Sequence, residues 1–220
     1  MKVMAVAAHP DDEVLGVGGT LAGHAARGDE VKVVIVSEGG SSRYDHGQQT
    51  LLAKNAGEAQ VVLGVRHLQL LGLPDQKLDA MPLIEVVRAI EATVADFAPD
   101  VVYTHHFGDL NRDHRVVCEA TMVACRPVGE TYPRHVYLFE TPSSSEWGWN
   151  EPGMQFLPNH FVDVSAHLET KLLAMACYPS EVRVPPHPRA IESLRTRAAF
   201  WGQVVSRPFA EPFVLVRELV

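Results

Sequence analysis

Histidine and aspartate residues cluster directly after a short apolar run near the start of the chain. The segment HPDDE, residues 9–13, follows the continuous apolar run 3–8. A neutral imidazole and an ionised carboxylate that converge on one point can bind a divalent cation. His9 and Asp12, three residues apart across a strand-to-helix turn, can converge in this way, with Asp11 beside them. An acidic helix start would explain the carboxylates, because they complement the helix dipole, but it would not explain the histidine.

A second polar cluster follows another apolar run. The segment GDLNRDH, residues 108–114, comes after the run VVYTH at 101–105. His114 falls in the first turn of the helix expected next. Two histidines and one carboxylate with a position left open for water are typical of catalytic zinc sites. The same set also suits ferrous iron.

The two clusters can cooperate only if the fold brings them to one edge. The apolar pattern predicts strands at 3–8, 31–37, 67–71 and 101–105, and helices at 13–28, 49–63, 82–97 and 113–125. This alternation predicts a Rossmann-like α/β fold with a mostly parallel sheet and helices on both faces. Active sites in such sheets lie at the carboxyl ends of the strands, where both clusters fall.

The last third of the chain is less regular. Its pattern predicts strands at 135–140 and 160–164, helices at 168–178 and 190–205, and a final strand at 213–218 that closes the sheet edge. The loop 141–158 contains Trp147 and Trp149, which could stack on a sugar ring or anchor the loop. No internal repeat or linker is visible, so we expect one domain over residues 1–220.

Composition excludes several classes of function. The formal net charge of −8 argues against a nucleic-acid partner, which needs a basic face. The three cysteines form no CxxC pair, so neither a disulfide framework nor a cysteine zinc site is expected. Acidic residues interrupt the N-terminal apolar run, and no run approaches the ~20 residues of a membrane span. We therefore expect a cytoplasmic protein with no membrane span.

Together the motifs resemble those of a known enzyme family. AHPDDE, followed downstream by DH at a helix start, resembles the LmbE/PIG-L family of zinc-dependent N-deacetylases. The segments AHPDDEVLGVGGTLA, SEGGSSR, LGLPD, GDLNRDHR and WGQ…AEPF extend the resemblance over most of the chain. The resemblance implies a Rossmann-like fold and hydrolysis of an N-acyl amide, typically acetyl, on a small amino-sugar-like substrate or glycoconjugate. It also implies assembly as a homo-oligomer.

The resemblance assigns roles by position. It makes His9, Asp12 and His114 the zinc ligands. Asp11 becomes the general base that takes a proton from metal-bound water and can return it to the leaving amine. Asp113 is expected to orient a ligand histidine rather than to bind the metal.

The chain departs from the family pattern at Asn111, where many members have a histidine. An amide can donate a hydrogen bond to the reacting group but cannot shuttle protons at neutral pH. The acid role then falls to Asp11 alone or to another histidine. His105 and His106 after the fourth strand are one candidate pair, and the segment that contains His187 offers another. The resemblance also implies that a histidine from the C-terminal part of the chain can stabilise the tetrahedral oxyanion. His187 could have this role, although a structural loop histidine is equally compatible with the sequence.

Three residues are candidates for substrate binding: Arg43, Asp75 and His106. Arg43 could replace a family arginine that this chain lacks, although a solvated loop arginine has the same appearance. Asp75 could bind a substrate hydroxyl or form a Pro-Asp turn. A different acyl amide, such as a thiol conjugate or an N-acyl sugar nucleotide, stays open as the substrate.

A non-catalytic metal- or sugar-binding protein is the competing class. Asp11 argues against it, because a binding protein needs no second carboxylate beside the ligand pair. A dinucleotide-binding protein would need a glycine-rich turn after the first strand, whereas the GVGG run at 16–19 falls inside the first helix.

Overall fold

Short buried strands alternate with helices along the chain, as the apolar pattern predicts. The structure is a computed structural model that describes residues 1–40, 46–129, 132–149 and 151–220. For residues 46–49 it describes only the backbone. The strands are β1 Lys2–Ala7, β2 Glu30–Ser37, β3 His67–Leu73, β4 Val101–His105, β5 His135–Phe139, β6 His160–Asp163 and β7 Ala210–Glu218. The helices are α1 Asp12–Ala26, α2 His46–Leu63, α3 Leu83–Phe97, α4 Arg112–Ala124, α5 Leu168–Ala176 and α6 Ile191–Val204. Short 3-10 turns occupy Leu78–Ala80 and Ser145–Trp147.

The strands form one seven-stranded sheet with the order β3-β2-β1-β4-β5-β7-β6. The first five strands in this order are parallel, and β7 runs antiparallel to both β5 and β6. The prediction of a Rossmann-like, mostly parallel sheet is therefore confirmed.

The position predicted for the last strand is wrong. Residues 213–218 belong to β7, which begins at Ala210 and lies between β5 and β6, so β6 forms the edge instead. The first four residues of β7 are fully buried and include the charged Glu211. The charge of Glu211 interrupts the apolar run that would otherwise indicate an interior strand. This charge can be buried because its partner comes from a distant helix.

Helices cover both faces of the sheet, as predicted. One buried cluster joins the sheet to α1, α2, α5 and α6, and the other joins it to α3 and α4. Val3 and Ala5 of β1 face the first cluster, whereas Met4 and Val6 face the second. Strand β1 is thus apolar on both sides, as expected of a central parallel strand. Among the helices of the described residues, none has the length and apolar character needed to cross a bilayer.

Helix α1 packs very closely against the sheet through its glycine run. A Cβ atom added at Gly16 would overlap the ring of Phe139 in β5. Any larger residue at position 16 would hold the helix away from the sheet. The GVGG run therefore serves helix–sheet packing, as its place inside the first helix indicated, and this packing fixes the start of α1 at the carboxyl ends of the strands.

A buried ion pair forms hydrogen bonds with backbone groups of α1. Lys171 of α5 lies 2.6 Å from a carboxylate oxygen of Glu211 in β7. The Lys171 ammonium donates to the carbonyl of Leu15, while Glu211 accepts from the backbone N–H groups of Gly19 and Thr20. Both charges are thereby paired and hydrogen-bonded, which is the condition for burying them. The pair ties α1 to α5 and β7.

Candidate active site

The turn after β1 aims three polar side chains at the carboxyl edge of the sheet. His9 and Asp11 lie in this turn, and Asp12 begins α1. Asp11 has a left-handed backbone, with φ 108° and ψ −28°, which is unusual for a residue other than glycine. The carbonyl of Asp11 accepts from the N–H groups of Val14 and Leu15. Backbone strain of this kind is typical of functional turns.

The three predicted metal ligands converge on one point. The Nδ1 atom of His9, the Oδ2 atom of Asp12 and the Nε2 atom of His114 are each 3.2 Å from the other two. A tetrahedral zinc ion with bonds of about 2.0–2.1 Å separates neighbouring ligand atoms by about 3.3–3.4 Å. The second oxygen of Asp12 is buried without a hydrogen-bond partner among the described residues. These three donors would fit a single divalent cation.

Asp113, which is predicted to orient a ligand histidine, lies beside the first of the two histidines. Its Oδ2 atom lies 3.1 Å from Nε2 of His9, so the opposite nitrogen of the ring faces the ligand cluster. The Asp113 carboxylate also accepts from the backbone N–H groups of Gln76 and Leu78. A carboxylate that fixes a ligand histidine in this way is a standard support of a metal site.

Asp109 lies behind the second histidine and was not predicted from the sequence. Its Oδ1 atom lies 3.1 Å from Nδ1 of His114, at an angle outside good hydrogen-bond geometry. Asp109 is fully buried and also accepts from the Ser144 and Ser145 hydroxyls and from the Asn111 N–H group. The signal was present in the GDLNRDH segment, which contains a second aspartate five residues before His114.

The electrostatics of the cluster favour positive charge between the imidazoles. Burial disfavours charged His9, yet hydrogen bonds to Asp113 and Asp12 raise its pKa to about 9. Burial also opposes the charge on His114, but Asp12 and Asp109 raise its pKa to about 10. Burial disfavours ionised Asp12 as well, and the facing His114 nevertheless holds the pKa of Asp12 well below its usual range. A divalent cation would supply the same positive charge in place of these protons.

Asp11, the predicted general base, is buried beside the ligand cluster and is paired with an arginine. Burial raises the pKa of Asp11 well above its usual range, and the Arg189 guanidinium opposes that rise. The Nη1 atom of Arg189 lies 2.8 Å from Oδ2 of Asp11 and 3.0 Å from Oε2 of Glu181. The Nε atom of Arg189 donates to the Ser143 hydroxyl. Sequence reasoning missed Arg189, because nothing in its spacing links it to a residue 178 positions earlier.

A cavity of about 590 Å³ opens over this cluster. Its lining includes the predicted residues His9, Asp11, Asp75, Asn111, Asp113, His114 and His187, as well as Trp147, Glu181 and Arg189. Asp75 lies deep in this lining, with Oδ1 3.4 Å from Nε2 of His9. Trp147 is half exposed, and its ring meets the ring of His187 edge to face at 5.7 Å.

Asn111 lies in the cavity wall but also caps a helix. Its side-chain oxygen accepts from the N–H group of Asp113 at the start of α4. The amide therefore presents its NH₂ group away from the helix end. His187 accepts at Nδ1 from the Arg189 N–H group, so its other ring nitrogen carries the proton if the ring is neutral.

The remaining predicted residues lie elsewhere. His106 is buried, accepts at Nδ1 from the Gly108 N–H group and is not part of the cavity lining. Arg43 lies outside the described residues. His105 is fully buried, and its Nε2 atom accepts from the Ala8 N–H group, so it supports the turn rather than facing the cavity. Burial lowers the pKa of His105 to about 3, which keeps the ring neutral.

Comparison with known proteins supports the chemistry that the geometry suggests. The sequence profile of the family described as PIG-L, GlcNAc-PI de-N-acetylase, matches residues 4–125, more than half of the chain. An uncharacterised deacetylase of Escherichia coli, YaiS, is 30% identical over 179 residues, which cover 78% of this chain and 86% of that protein.

A second relative and a solved structure extend the similarity. The 1D-myo-inositol 2-acetamido-2-deoxy-α-D-glucopyranoside deacetylase of Mycolicibacterium smegmatis is 29% identical, covering 86% of this chain and 83% of its own length. The conserved protein TT1542 of Thermus thermophilus superimposes with a TM-score of 0.80 at 26% identity, covering 99% of this chain and 96% of its own.

Proposed function

Because this chain belongs to the PIG-L family of de-N-acetylases, we propose that it hydrolyses an N-acyl amide, typically acetyl, on an amino sugar or glycoconjugate. One observation carries the proposal: the nitrogen and oxygen donors of His9, Asp12 and His114 lie 3.2 Å apart, and both histidines line the cavity that Asp11 also lines. The relative from M. smegmatis is named for the deacetylation of an acetamido sugar, which supports this substrate class.

His9, Asp12 and His114 would hold a zinc ion, and the donor set is also suitable for ferrous iron. When bound, the ion supplies Lewis-acid polarisation of an amide carbonyl and makes nearby water more acidic. Asp113 and Asp109 keep the two histidines oriented for this task, because each carboxylate faces the ring nitrogen opposite the cluster.

Asp11 moves the protons of the reaction. Its carboxylate accepts a proton from a water molecule in the cavity while the oxygen of that water bonds to the amide carbonyl carbon. The bond between carbon and nitrogen then breaks, and Asp11 returns the proton to the leaving nitrogen. The products are a carboxylic acid, acetate in the simplest case, and a free amine. Burial of Asp11 supports the second step, because it raises the pKa of the carboxyl group and so favours the protonated form that donates to the leaving nitrogen.

Arg189 and Asn111 complete the proposed machinery. The Nη1 atom of Arg189 lies 2.8 Å from Oδ2 of Asp11. This contact fixes the carboxylate and favours the ionised form that is needed at the start of the reaction. Asn111 stands in the cavity wall where many family members have a histidine, and its amide can donate a hydrogen bond to the substrate but no proton. Asp11 is then the group beside the ligand donors that can give a proton to the leaving amine, and His187 in the cavity wall stays the alternative donor.

The cavity walls suggest how a sugar would be held. Trp147 offers a half-exposed aromatic face beside His187, and Asp75 offers a carboxylate to a hydroxyl. Arg43 stays a predicted substrate ligand outside the described residues. His106 is left out of this proposal because its side chain does not line the cavity.

Release of free amine from acetylated compounds tests the proposal. A panel of N-acetylglucosamine conjugates, an N-acetyl sugar nucleotide and an N-acyl thiol conjugate separates the substrate classes. Asp11→Asn should lower kcat by at least about 100-fold, the smaller end of what a general base contributes. Asp79→Asn is the matched control, because Asp79 lies at the exposed rim of the same cavity. Hydrolysis of no member of the panel would favour the non-catalytic binding protein.

The proposal also includes a homo-oligomeric assembly and a cytoplasmic location, both predicted from the sequence. Sedimentation velocity tests the first prediction, and fractionation of cells that express the tagged protein tests the second.

A further inference from the structure

The last residue of the HPDDE segment, residues 9–13, which we call the catalytic turn, has no role in the chemistry above. Glu13 is fully buried and does not line the cavity. Both of its carboxylate oxygens accept hydrogen bonds. Oε2 accepts from the backbone N–H group of Asp11 at 3.1 Å, and Oε1 accepts from the Tyr178 hydroxyl at 2.7 Å and from Nε2 of Gln60 at 2.9 Å.

The contact from Glu13 supports the strained residue of the turn. The left-handed backbone of Asp11 is unfavourable for a residue with a Cβ atom, so surrounding contacts must hold it. Its carbonyl is held by the first N–H groups of α1, and its N–H group is held by Glu13. The direction of the Asp11 side chain therefore depends on where the Glu13 carboxylate is fixed.

Tyr178 holds the Glu13 carboxylate and is also the first residue of the 178–189 segment. This segment contacts the Asp11 carboxylate. The side chain of Tyr178 is fully buried directly after α5. Its backbone carbonyl accepts from the N–H groups of Glu181 and Val182, which form a turn. Glu181 in turn contacts Arg189, and Arg189 contacts the Asp11 carboxylate. The contacts that hold the Asp11 backbone and those that hold its side chain therefore both lead back to Tyr178.

We propose that Tyr178 is a positioning residue for the general base, acting on the Asp11 backbone through Glu13 and on the Asp11 carboxylate through the 178–189 segment. This inference rests on the proposed deacetylase function, because positioning matters for rate only if Asp11 is the base. Tyr178 touches neither the cavity nor the ligand cluster, so its substitution leaves the substrate contacts and the metal donors in place.

Tyr178→Phe removes only the hydroxyl and is compared with Tyr103→Phe. Tyr103 is an equally buried tyrosine whose hydroxyl contacts His24 near the end of α1, away from the catalytic turn. Two readouts are used on the full-length protein: hydrogen–deuterium exchange of the peptide that contains Asp11, and steady-state kinetics with the acetylated compound that the wild type hydrolyses. Zinc content is measured for each variant.

Tyr178→Phe should speed exchange of the peptide and lower kcat by about tenfold each, the upper end of what losing one typical hydrogen bond costs. KM and zinc content should stay within about twofold of wild type, and Tyr103→Phe should change neither readout. A purely structural tyrosine would lower the melting temperature without this division between kcat and KM. Gln60→Met removes the other donor to the same Glu13 oxygen and replaces Tyr178→Phe if that variant does not fold.

Exchange and kinetics separate the two ways of failing. If the Asp11 peptide of Tyr178→Phe exchanges at the wild-type rate, or if the variant keeps the wild-type kcat, the positioning role is wrong. A wild-type protein that hydrolyses none of the amides overturns the proposed function instead, and the exchange measurement still decides whether Tyr178 holds the turn.

Discussion

Replacing Asp109 with asparagine should weaken metal binding without disturbing the fold. Asp109 is buried behind the proposed ligand His114 and faces its Nδ1 atom. Burial disfavours its ionised form, but the facing His114 and hydrogen bonds from the hydroxyls of Ser144 and Ser145 lower its pKa to about 2. The residue is therefore anionic at neutral pH, and Asp109→Asn removes a full charge from beside the imidazole.

The geometry limits the change to that charge. The asparagine oxygen can take the Oδ1 position, which faces His114 and the Asn111 N–H group, while its NH₂ group takes the Oδ2 position beside the Ser145 hydroxyl. That hydroxyl can rotate to accept a hydrogen bond instead of donating one. Loss of a carboxylate behind a ligand histidine lowers metal affinity by about 10–100-fold, or about 1.4–2.7 kcal/mol.

Competition with a chelator of known zinc affinity measures this difference. Asp163→Asn is the matched control, because Asp163 also accepts from a serine hydroxyl and a backbone N–H group, yet lies half exposed away from the cavity. The control should bind zinc as wild type does. If Asp109→Asn binds zinc within twofold of wild type while His114→Ala loses it, the carboxylate does not support the ligand and the reasoning fails.

Three further predictions concern stability and reactivity. Glu211→Gln leaves a buried ammonium without its charge partner, so the free energy of unfolding in urea should fall by about 3–5 kcal/mol, and an unchanged value would contradict the pairing. Gly16→Ala forces a β5 ring away from α1 and should cost about 1–3 kcal/mol in the same assay, with a neutral effect arguing against the close approach. Burial raises the pKa of both Cys118 and Cys125 to about 12, so alkylation at pH 8 followed by mass spectrometry should leave both unmodified until the protein is denatured. Rapid labelling of either thiol in the native protein would show that its surroundings are open.

The fold and the convergence of His9, Asp12 and His114 could be predicted because short-range patterns encode them. His9 and Asp12 follow one buried strand, and His114 follows another, so a parallel sheet brings them to the same edge. The family named on these motifs is confirmed by the profile that matches residues 4–125. Asp113 was found for the same reason, as it lies next to a ligand in the chain.

Residues whose partners come from distant loops could not be predicted. Arg189 reaches Asp11 only because the irregular segment after α5 folds back over the turn, and no periodicity describes that path. Glu211 was missed for a related reason. Its partner Lys171 belongs to another element, and a charged residue inside a strand masks the apolar pattern that would have placed β7 in the interior of the sheet.

We propose a catalytic metal site formed by His9, Asp12 and His114 beside the base Asp11. Metal content by plasma mass spectrometry, measured together with amine release, tests it on wild type, His114→Ala and Asp11→Asn. We expect about one zinc per chain in wild type and in Asp11→Asn, with activity only in wild type, and neither zinc nor activity in His114→Ala. Full zinc content in His114→Ala, or wild-type activity in Asp11→Asn, would contradict it.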